Sequence, residues 1–134
     1  MTDLQAALAL AQWKRLPEFL SRRQDLARFY QAAIGERFPS SIVPRMHASD
    51  TYHFRFVLRV TDPYEFMRAG ESRGVIFRRP VAPTSLHRLF KTPGAFPVSD
   101  AALAELVSIP LYPRLTDAEA ALVADVVTEA LGGQ

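Results

Sequence analysis

The chain has 134 residues and a mass of 15.0 kDa, which is the size of one domain and too short for a multidomain enzyme. Its 16 basic and 14 acidic residues give a net charge of +2, so composition does not suggest a nucleic-acid partner. The sequence contains no cysteine, which excludes thiol chemistry, cysteine-ligated zinc and iron–sulfur clusters.

Nothing in the sequence suggests a membrane partner. No apolar run approaches the roughly 18 residues that a membrane span needs. Thr2 and Asp3 stand where a signal peptide would carry positive charge. We therefore expect a cytoplasmic protein.

Two helices are predicted at the start of the chain. Thr2 and Gln5 have the spacing of a capping box, and the run Leu4–Leu16 is apolar on several sides, which is typical of a helix covered on more than one face. Pro17 predicts a bend, because its ring fits the first turn of a new helix, and Gly35 is a plausible stop.

Strand patterns appear in the middle of the chain. The loop Pro39–Asp50 leads into Tyr52–Val60, where apolar and polar residues alternate and one face is expected to be core. Val75–Phe77 is predicted to return as a second strand.

The later helices carry clear start signals. Asp62, Pro63 and Glu65 supply an N-cap, a first-turn proline and a first-turn acid, while Thr116 and Glu119 repeat the capping-box spacing. The remaining predicted elements are a helix end at Ser72–Gly74, a long loop Pro80–Pro97, a helix Ser99–Leu106, a short buried strand Val107–Leu111 and a last helix ending at Gly132.

This order predicts an α+β fold with helices packed on a small, mostly antiparallel sheet. We expect one domain over residues 1–134, consisting of an N-terminal helical segment (1–37) and an α+β body (38–134).

The residues offer little for catalysis or metal binding. His47, His53 and His87 share no metal-ligand spacing, so no metal site is predicted. Ser85 and His87 lie in a proline-rich loop with no identifiable acid to complete a nucleophilic triad. The glycines form no phosphate-binding loop.

A basic cluster is the one candidate binding patch. Arg78 and Arg79 follow a predicted strand, and His87 and Arg88 come after the long loop begins. Guanidinium groups match phosphate and carboxylate geometry, so these four residues are predicted to bind an anionic ligand. The alternative is a solvated sheet edge, where basic side chains prevent aggregation.

Several stretches resemble a known family. The chain is similar to the C-terminal portion of the DegT/DnrJ/StrS family of PLP-dependent aminotransferases, which act on keto-sugar nucleotides and share the aspartate-aminotransferase-like fold. The resemblance rests on "MTDLQAALALAQW", the pattern R-x-x-L-A-x-x-Y at Arg23–Tyr30, "YHFRFVLRV", "RGVIFRRPV", "SLHRLF" and "GAFPVSDAALAELVSIPLYPRLTDAEAALVADVV". It implies that Arg78, Arg79 and His87 face the active-site mouth.

The resemblance also implies what this chain lacks. The family's Schiff-base lysine and PLP phosphate donors belong to a large N-terminal domain. Neither Lys14 nor Lys91 matches the family's lysine motif. We therefore expect no catalytic residue and no cofactor bound by this chain alone.

Three functional hypotheses follow. The first is an isolated C-terminal domain of a sugar aminotransferase, inactive alone. The second is a nucleotide-sugar-binding or regulatory module, and the third is one half of a split enzyme whose large domain is encoded separately.

The first helix also predicts association. Removal of a large domain would uncover apolar side chains on more than one face, and we expect a homodimer or higher oligomer unless a separately encoded partner covers them. The alternative is that the helix folds back and hides them within one chain. The residues concerned are Leu4, Leu8, Leu10, Trp13 and Leu16.

Overall fold

The computed structural model describes residues 1–43, 53–80 and 85–133. Its α+β architecture confirms the predicted fold class. The elements in chain order are α1 (Asp3–Gly35), a 3-10 turn (Pro39–Ser41), β1 (Ile42–Val43), β2 (Phe56–Arg59), α2 (Pro63–Ser72), α3 (Leu86–Leu89), α4 (Pro97–Glu105), β3 (Leu106–Ile109) and α5 (Asp117–Gly132).

The three strands form one antiparallel sheet in the order β1-β2-β3. Ile42 of β1 lies opposite Leu58 of β2, and Phe56 of β2 lies opposite Ile109 of β3. Because side chains alternate between the two faces of a strand, Phe56 and Leu58 point into the core while Arg59 stays exposed.

The core lies where the sheet meets the C-terminal half of α1, α2 and α5. Tyr30 of α1 packs edge-on against Phe56 with ring centroids 5.3 Å apart, and Phe66 of α2 stacks on Phe77 at 4.8 Å. The same cluster includes buried residues from α5, chiefly Ala120, Val123, Val126, Val127 and Leu131. These contacts hold α1 to the body through its second half.

The prediction of a second helix beginning at Pro17 is wrong, because α1 runs without interruption from Asp3 to Gly35. Proline removes one hydrogen bond from a helix, and the carbonyl that loses it belongs to Trp13. Trp13 and Pro17 both lie in the exposed half of the helix, where water can satisfy that carbonyl. Continuous helix is therefore tolerated at this position.

The predicted second strand at Val75–Phe77 is also wrong. Burial alternates as in a strand, with Val75 and Phe77 buried and Ile76 exposed, but only Arg78 forms a bridge to β3. The Val75 N–H instead donates to the Gly70 carbonyl at 2.9 Å, so it is used by the end of α2 and is not available for pairing with the sheet.

The predicted caps of three helices are confirmed. Thr2 and Thr116 each form a capping box, and Asp62 accepts from the N–H groups of Tyr64 and Glu65. Gly74 follows α2 with a positive φ of 76°, a conformation that favours glycine.

Other boundaries differ from the prediction. The strand expected at Tyr52–Val60 is Phe56–Arg59, and the expected loop Pro39–Asp50 begins with a 3-10 turn and β1. The helix expected to begin at Ser99 begins at Pro97, with Phe96 at the N-cap position, because proline occupies the first turn. The strand expected at Val107–Leu111 is Leu106–Ile109.

The long predicted loop contains the short helix α3, while Tyr52, the later part of Pro39–Asp50 and positions 81–84 lie outside the described residues.

Candidate functional site

His87 and Arg88, two of the four predicted ligand residues, meet Asp100 of α4. Arg88 Nη2 donates to Asp100 Oδ1 at 2.8 Å, and His87 Nε2 lies 3.3 Å from the same oxygen. The His87 ring also stacks on Phe96 with centroids 4.6 Å apart. Asp100 already supplies a carboxylate to this pair, which lowers its capacity to attract a second anion.

Ser85 also reaches His87, but the geometry does not support nucleophilic catalysis. Its Oγ lies 3.3 Å from His87 Nε2, the same ring nitrogen that faces Asp100. A triad needs the nucleophile on one imidazole nitrogen and the acid on the other. The arrangement is therefore a local hydrogen-bond cluster.

Arg78 lies beside β3 and Arg79 lies near α2, and no ion pair among the described residues joins either to that cluster. Arg78 exchanges main-chain hydrogen bonds with Ser108 at 3.0 and 2.7 Å, which fixes its place at the sheet. The Arg79 guanidinium lies 5.9 Å from the centroid of the Tyr64 ring. Within residues 1–43, 53–80 and 85–133, neither guanidinium forms an ion pair with a carboxylate.

A groove of about 540 Å³ opens between the Arg78 side of β3 and the start of α5. Arg55 Nη1 donates to Ser108 Oγ at 3.2 Å, and Ser108 Oγ donates to the Arg78 carbonyl at 3.1 Å. The Arg55 guanidinium also lies 5.3 Å from the Phe54 ring centroid. The lining includes Phe54, Arg55, Arg78, Ser108, Tyr112 and Glu119.

The chain segment 110–115, which forms one wall of this groove, is tied to α1. Three side chains of that helix donate to its main-chain carbonyls: Arg22 to Leu115 at 2.5 Å, Arg23 to Leu111 at 2.8 Å and Tyr30 to Pro110 at 3.0 Å. Hydrogen bonds from charged donors are the stronger kind. The position of α1 therefore helps to set the shape of the groove wall.

Two buried titratable groups lie near this junction. Burial, followed by the charge of Tyr112, raises the pKa of the Tyr30 hydroxyl above its ordinary value, and Arg22 partly opposes the rise. The hydroxyl therefore stays protonated and donates to Pro110. Burial also lowers the pKa of His53, which favours its neutral form.

The two lysines do not fit a PLP-binding site. A Schiff-base lysine requires a pocket that desolvates its amine or places an activating group beside it. Lys14 lies on the exposed half of α1, and Lys91 lies in an exposed turn with a φ of 51°. Neither lines the groove described above.

The first half of α1 stands clear of the body. Leu4 is 80% exposed and Trp13 is 71% exposed, and Leu8, Leu10 and Leu16 are exposed as well. The alternative in which this helix folds back and hides these side chains within one chain is therefore wrong. The reason is that α1 continues as one helix through Pro17, and its buried residues Leu26, Ala27, Tyr30 and Ile34 all lie in its second half.

In the part of the chain that the structure describes, no three His, Asp or Glu side chains gather as metal ligands would. None of the helices there combines the length and the apolar character needed to cross a bilayer. His47 lies outside the described residues.

Sequence reasoning missed three groove residues and the acid that pairs with Arg88. Arg55 falls within the predicted strand Tyr52–Val60 and Ser108 within the predicted strand Val107–Leu111, and Tyr112 directly follows the second strand. Their proximity depends on the register of β2 with β3, which sequence spacing does not reveal. One sequence signal did point to this region: Arg23 and Tyr30 of the R-x-x-L-A-x-x-Y pattern donate hydrogen bonds to the carbonyls of Leu111 and Pro110, beside the groove.

Comparisons with known proteins give a consistent result. The model of the DegT/DnrJ/EryC1/StrS aminotransferase family matches residues 1–128. The dTDP-4-dehydro-2,3,6-trideoxy-D-glucose 4-aminotransferase of Saccharopolyspora spinosa is 26% identical over 133 residues, covering 96% of this chain and 34% of that protein. The spore coat polysaccharide biosynthesis protein SpsC of Bacillus subtilis is 27% identical over 150 residues, covering 99% of this chain and 37% of that protein.

Solved structures share the fold. The aminotransferase TlmJ from Streptoalloteichus hindustanus superposes with a TM-score of 0.85 at 24% identity, covering 96% of this chain and 36% of that one. The putative sugar aminotransferase Spr1654 from Streptococcus pneumoniae, in its PMP form, gives a TM-score of 0.82 at 23% identity, covering 99% and 36% respectively. The chain spans about a third of the length of the relatives it matches. Because the family model covers nearly all of it, the chain belongs to the DegT/DnrJ/EryC1/StrS aminotransferase family and matches a partial, C-terminal domain of such enzymes.

Proposed function

We propose that this chain acts as the C-terminal domain of a sugar aminotransferase and has no transaminase activity alone. The observation that carries the proposal is the first half of α1. Residues 3–18 are exposed except for the partly buried Ala6, although many of them are apolar. A free-standing domain has no reason to keep such a helix in water, whereas a domain that packs on a larger one does.

The size of this surface supports the same conclusion. At 1.5 Å per residue, α1 is about 50 Å long, and about half of that length projects beyond the core. Covering several hundred Å² of apolar surface provides on the order of 10 kcal/mol before the costs of association are subtracted. The cover is either the remaining two thirds of an aminotransferase or a second copy of this chain.

The cofactor would be held by that large domain. PLP, when bound, withdraws electrons from the amino group's carbon and so permits transamination. Lys14 and Lys91 are both exposed, so no residue of this chain is assigned a step with PLP. We propose instead that Arg78 and Arg79, with His87 and Arg88, face the substrate of the assembled enzyme.

A nucleotide sugar is the proposed substrate class. The relative from Saccharopolyspora spinosa is named for a dTDP-linked keto sugar, whose diphosphate is an anion suited to guanidinium groups. Arg78 and Arg79 have no carboxylate partner among the described residues, which supports their assignment over that of Arg88. Nucleotide sugars are cytoplasmic metabolites, so we propose a cytoplasmic location.

The test is spectroscopic. The purified chain should give no lysine-dependent Schiff-base absorbance band with micromolar PLP and no turnover with an amino donor. A variant carrying Lys14→Arg and Lys91→Arg is the matched control for adventitious reaction at surface amines. A band that disappears in this variant, accompanied by transamination, would contradict the proposal.

A second candidate is a ligand-binding or regulatory module, which is favoured because neither Arg78 nor Arg79 has a carboxylate partner among the described residues. Titration with a dTDP-sugar distinguishes the two functions. Binding by the chain alone, abolished in an Arg78→Ala, Arg79→Ala double variant, supports the module. Absence of binding at millimolar ligand supports a domain that needs its large partner. A lysine-bearing large domain encoded in an adjacent reading frame would favour the split-enzyme form of the first candidate.

A further inference from the structure

The groove beside Ser108 brings together two arginines that lack acidic partners. Within the described ranges 1–43, 53–80 and 85–133, neither Arg55 nor Arg78 forms an ion pair. Arg59, four positions after Arg55 in the chain, pairs instead with Glu105 at 2.9 Å. Two like charges in one groove repel each other, and an anion between them relieves that repulsion.

Ser108 connects the two arginines. Its side chain is buried, its Oγ accepts from Arg55 Nη1, and the same hydroxyl donates to the Arg78 carbonyl. The Phe54 ring lies against the Arg55 guanidinium, so that guanidinium is held from two directions. A donor fixed in this way loses little freedom when it binds a ligand.

One carboxylate also lines the groove, and it is already engaged. Glu119 accepts from the Thr116 N–H and from the Thr116 hydroxyl, each at 2.8 Å. Both hydrogen bonds are accepted by Oε2, which therefore faces the first turn of α5, and no ion pair joins Glu119 to either arginine among the described residues. The arginine charges remain available to a ligand.

The rest of the groove is apolar and accessible. Tyr112 is 45% exposed, and Ile76 and Leu122 are also exposed large side chains on its walls. A tyrosine ring stacks on planar groups, and neighbouring aliphatic side chains can cover the edges of such a group. The volume of about 540 Å³ lies within the range of small-molecule sites.

We propose that this groove binds a small anion that carries a planar ring, with its phosphate or carboxylate between Arg55 and Arg78 and its ring against Tyr112. This proposal shares Arg78 with the proposed function but does not depend on it, because it uses neither Arg79, His87 and Arg88 nor a large domain.

Calorimetric titration of the whole chain with phenyl phosphate, benzoate and inorganic phosphate tests the proposal. We expect at least one ring-bearing anion to bind about tenfold more tightly than inorganic phosphate. The tighter of phenyl phosphate and benzoate identifies the headgroup. Arg55→Gln and Arg78→Gln should each weaken that binding about tenfold, the loss expected for a charge-assisted hydrogen bond.

Two control variants sharpen the result. Arg59→Gln removes the same charge from β2 but should change the affinity less than about twofold, because Arg59 is paired with Glu105. Tyr112→Leu should weaken binding of the ring-bearing anion and leave that of inorganic phosphate unchanged. The Arg78 side chain is exposed, so its variant is expected to fold, which a thermal unfolding curve verifies.

Three results would overturn the proposal: no binding of either ring-bearing anion at millimolar concentration, equal losses for Arg59→Gln and Arg55→Gln, or unchanged affinity in folded Arg78→Gln.

Discussion

Arg23 of α1 donates from Nη1 to the carbonyl oxygen of Leu111 at 2.8 Å, joining two points 88 residues apart in the chain. The same nitrogen lies within hydrogen-bond distance of the carbonyls of His53 and Phe54, at 3.3 and 3.0 Å. One guanidinium therefore links α1 to the chain just before β2 and to the chain just after β3. It holds the long helix against the groove wall.

Replacing Arg23 should destabilise the protein substantially. Arg23→Gln removes a partly buried charged donor from three main-chain carbonyls, and we expect a loss of about 2 to 3 kcal/mol in the free energy of unfolding. Urea unfolding followed by circular dichroism measures it. Arg28→Gln is the matched control, because Arg28 is exposed and contacts Asp25 and the Gln24 carbonyl of its own helix, so its loss should stay below about 0.5 kcal/mol. Equal losses in the two variants would contradict this assignment.

Gly70 should not tolerate a side chain. A Cβ there would lie 2.6 Å from two ring atoms of Phe77 and 2.7 Å from the Val75 carbonyl oxygen, and these groups are held in the core and main chain. Gly70→Ala is expected to cost about 1 to 3 kcal/mol through overpacking. Gly132→Ala, where no atom lies within 4 Å of the new Cβ, should be close to neutral. The midpoint of thermal unfolding, compared for the two variants, decides the matter; a neutral Gly70→Ala would show that α2 can shift away from Phe77.

The capping box of α5 should make stability depend on acid pH. Hydrogen bonds from the Thr116 N–H and then from its hydroxyl hold the pKa of Glu119 below its ordinary value. The ionised form is favoured in the folded state, so its contribution is complete above the ordinary glutamate pKa of about 4.3 and is lost as pH falls through the lower folded value.

Glu119→Gln should remove that part of the pH dependence while leaving the contribution of the other carboxylates. The measurement is the free energy of unfolding of both proteins between neutral pH and about pH 3, where the wild type should fall more steeply. Parallel curves would show that the charge of Glu119 does not contribute to the stability of the capping box.

The local signals in the sequence predicted local structure well. Thr2, Asp62 and Thr116 cap helices as their spacing indicated, because a cap depends only on residues within one turn. Alternating burial at Val75 and Phe77 was likewise predictable from hydrophobic spacing.

Features set by distant parts of the chain were not predictable. The Val75 N–H donates to a carbonyl at the end of α2, and the strand that the hydrophobic pattern predicts at Val75–Phe77 does not form. Pro17 stays helical because its surroundings are solvent, a fact that the residue itself does not encode. The pairing of Arg88 with Asp100 and the approach of Arg55 to Ser108 likewise depend on tertiary packing.

We propose that the projecting half of α1 is an interface. Size-exclusion chromatography with light scattering, over micromolar concentrations of the chain alone, tests it most directly. We expect a dimer or larger species that dissociates in Leu8→Glu, because a charge on the apolar surface opposes its burial. Ala7→Glu adds the same charge to α1 at an exposed position on a different side of the helix from Leu8, Trp13 and Leu16, and should leave the oligomer intact. A wild-type mass that stays near 15.0 kDa at every concentration would contradict self-association through this surface.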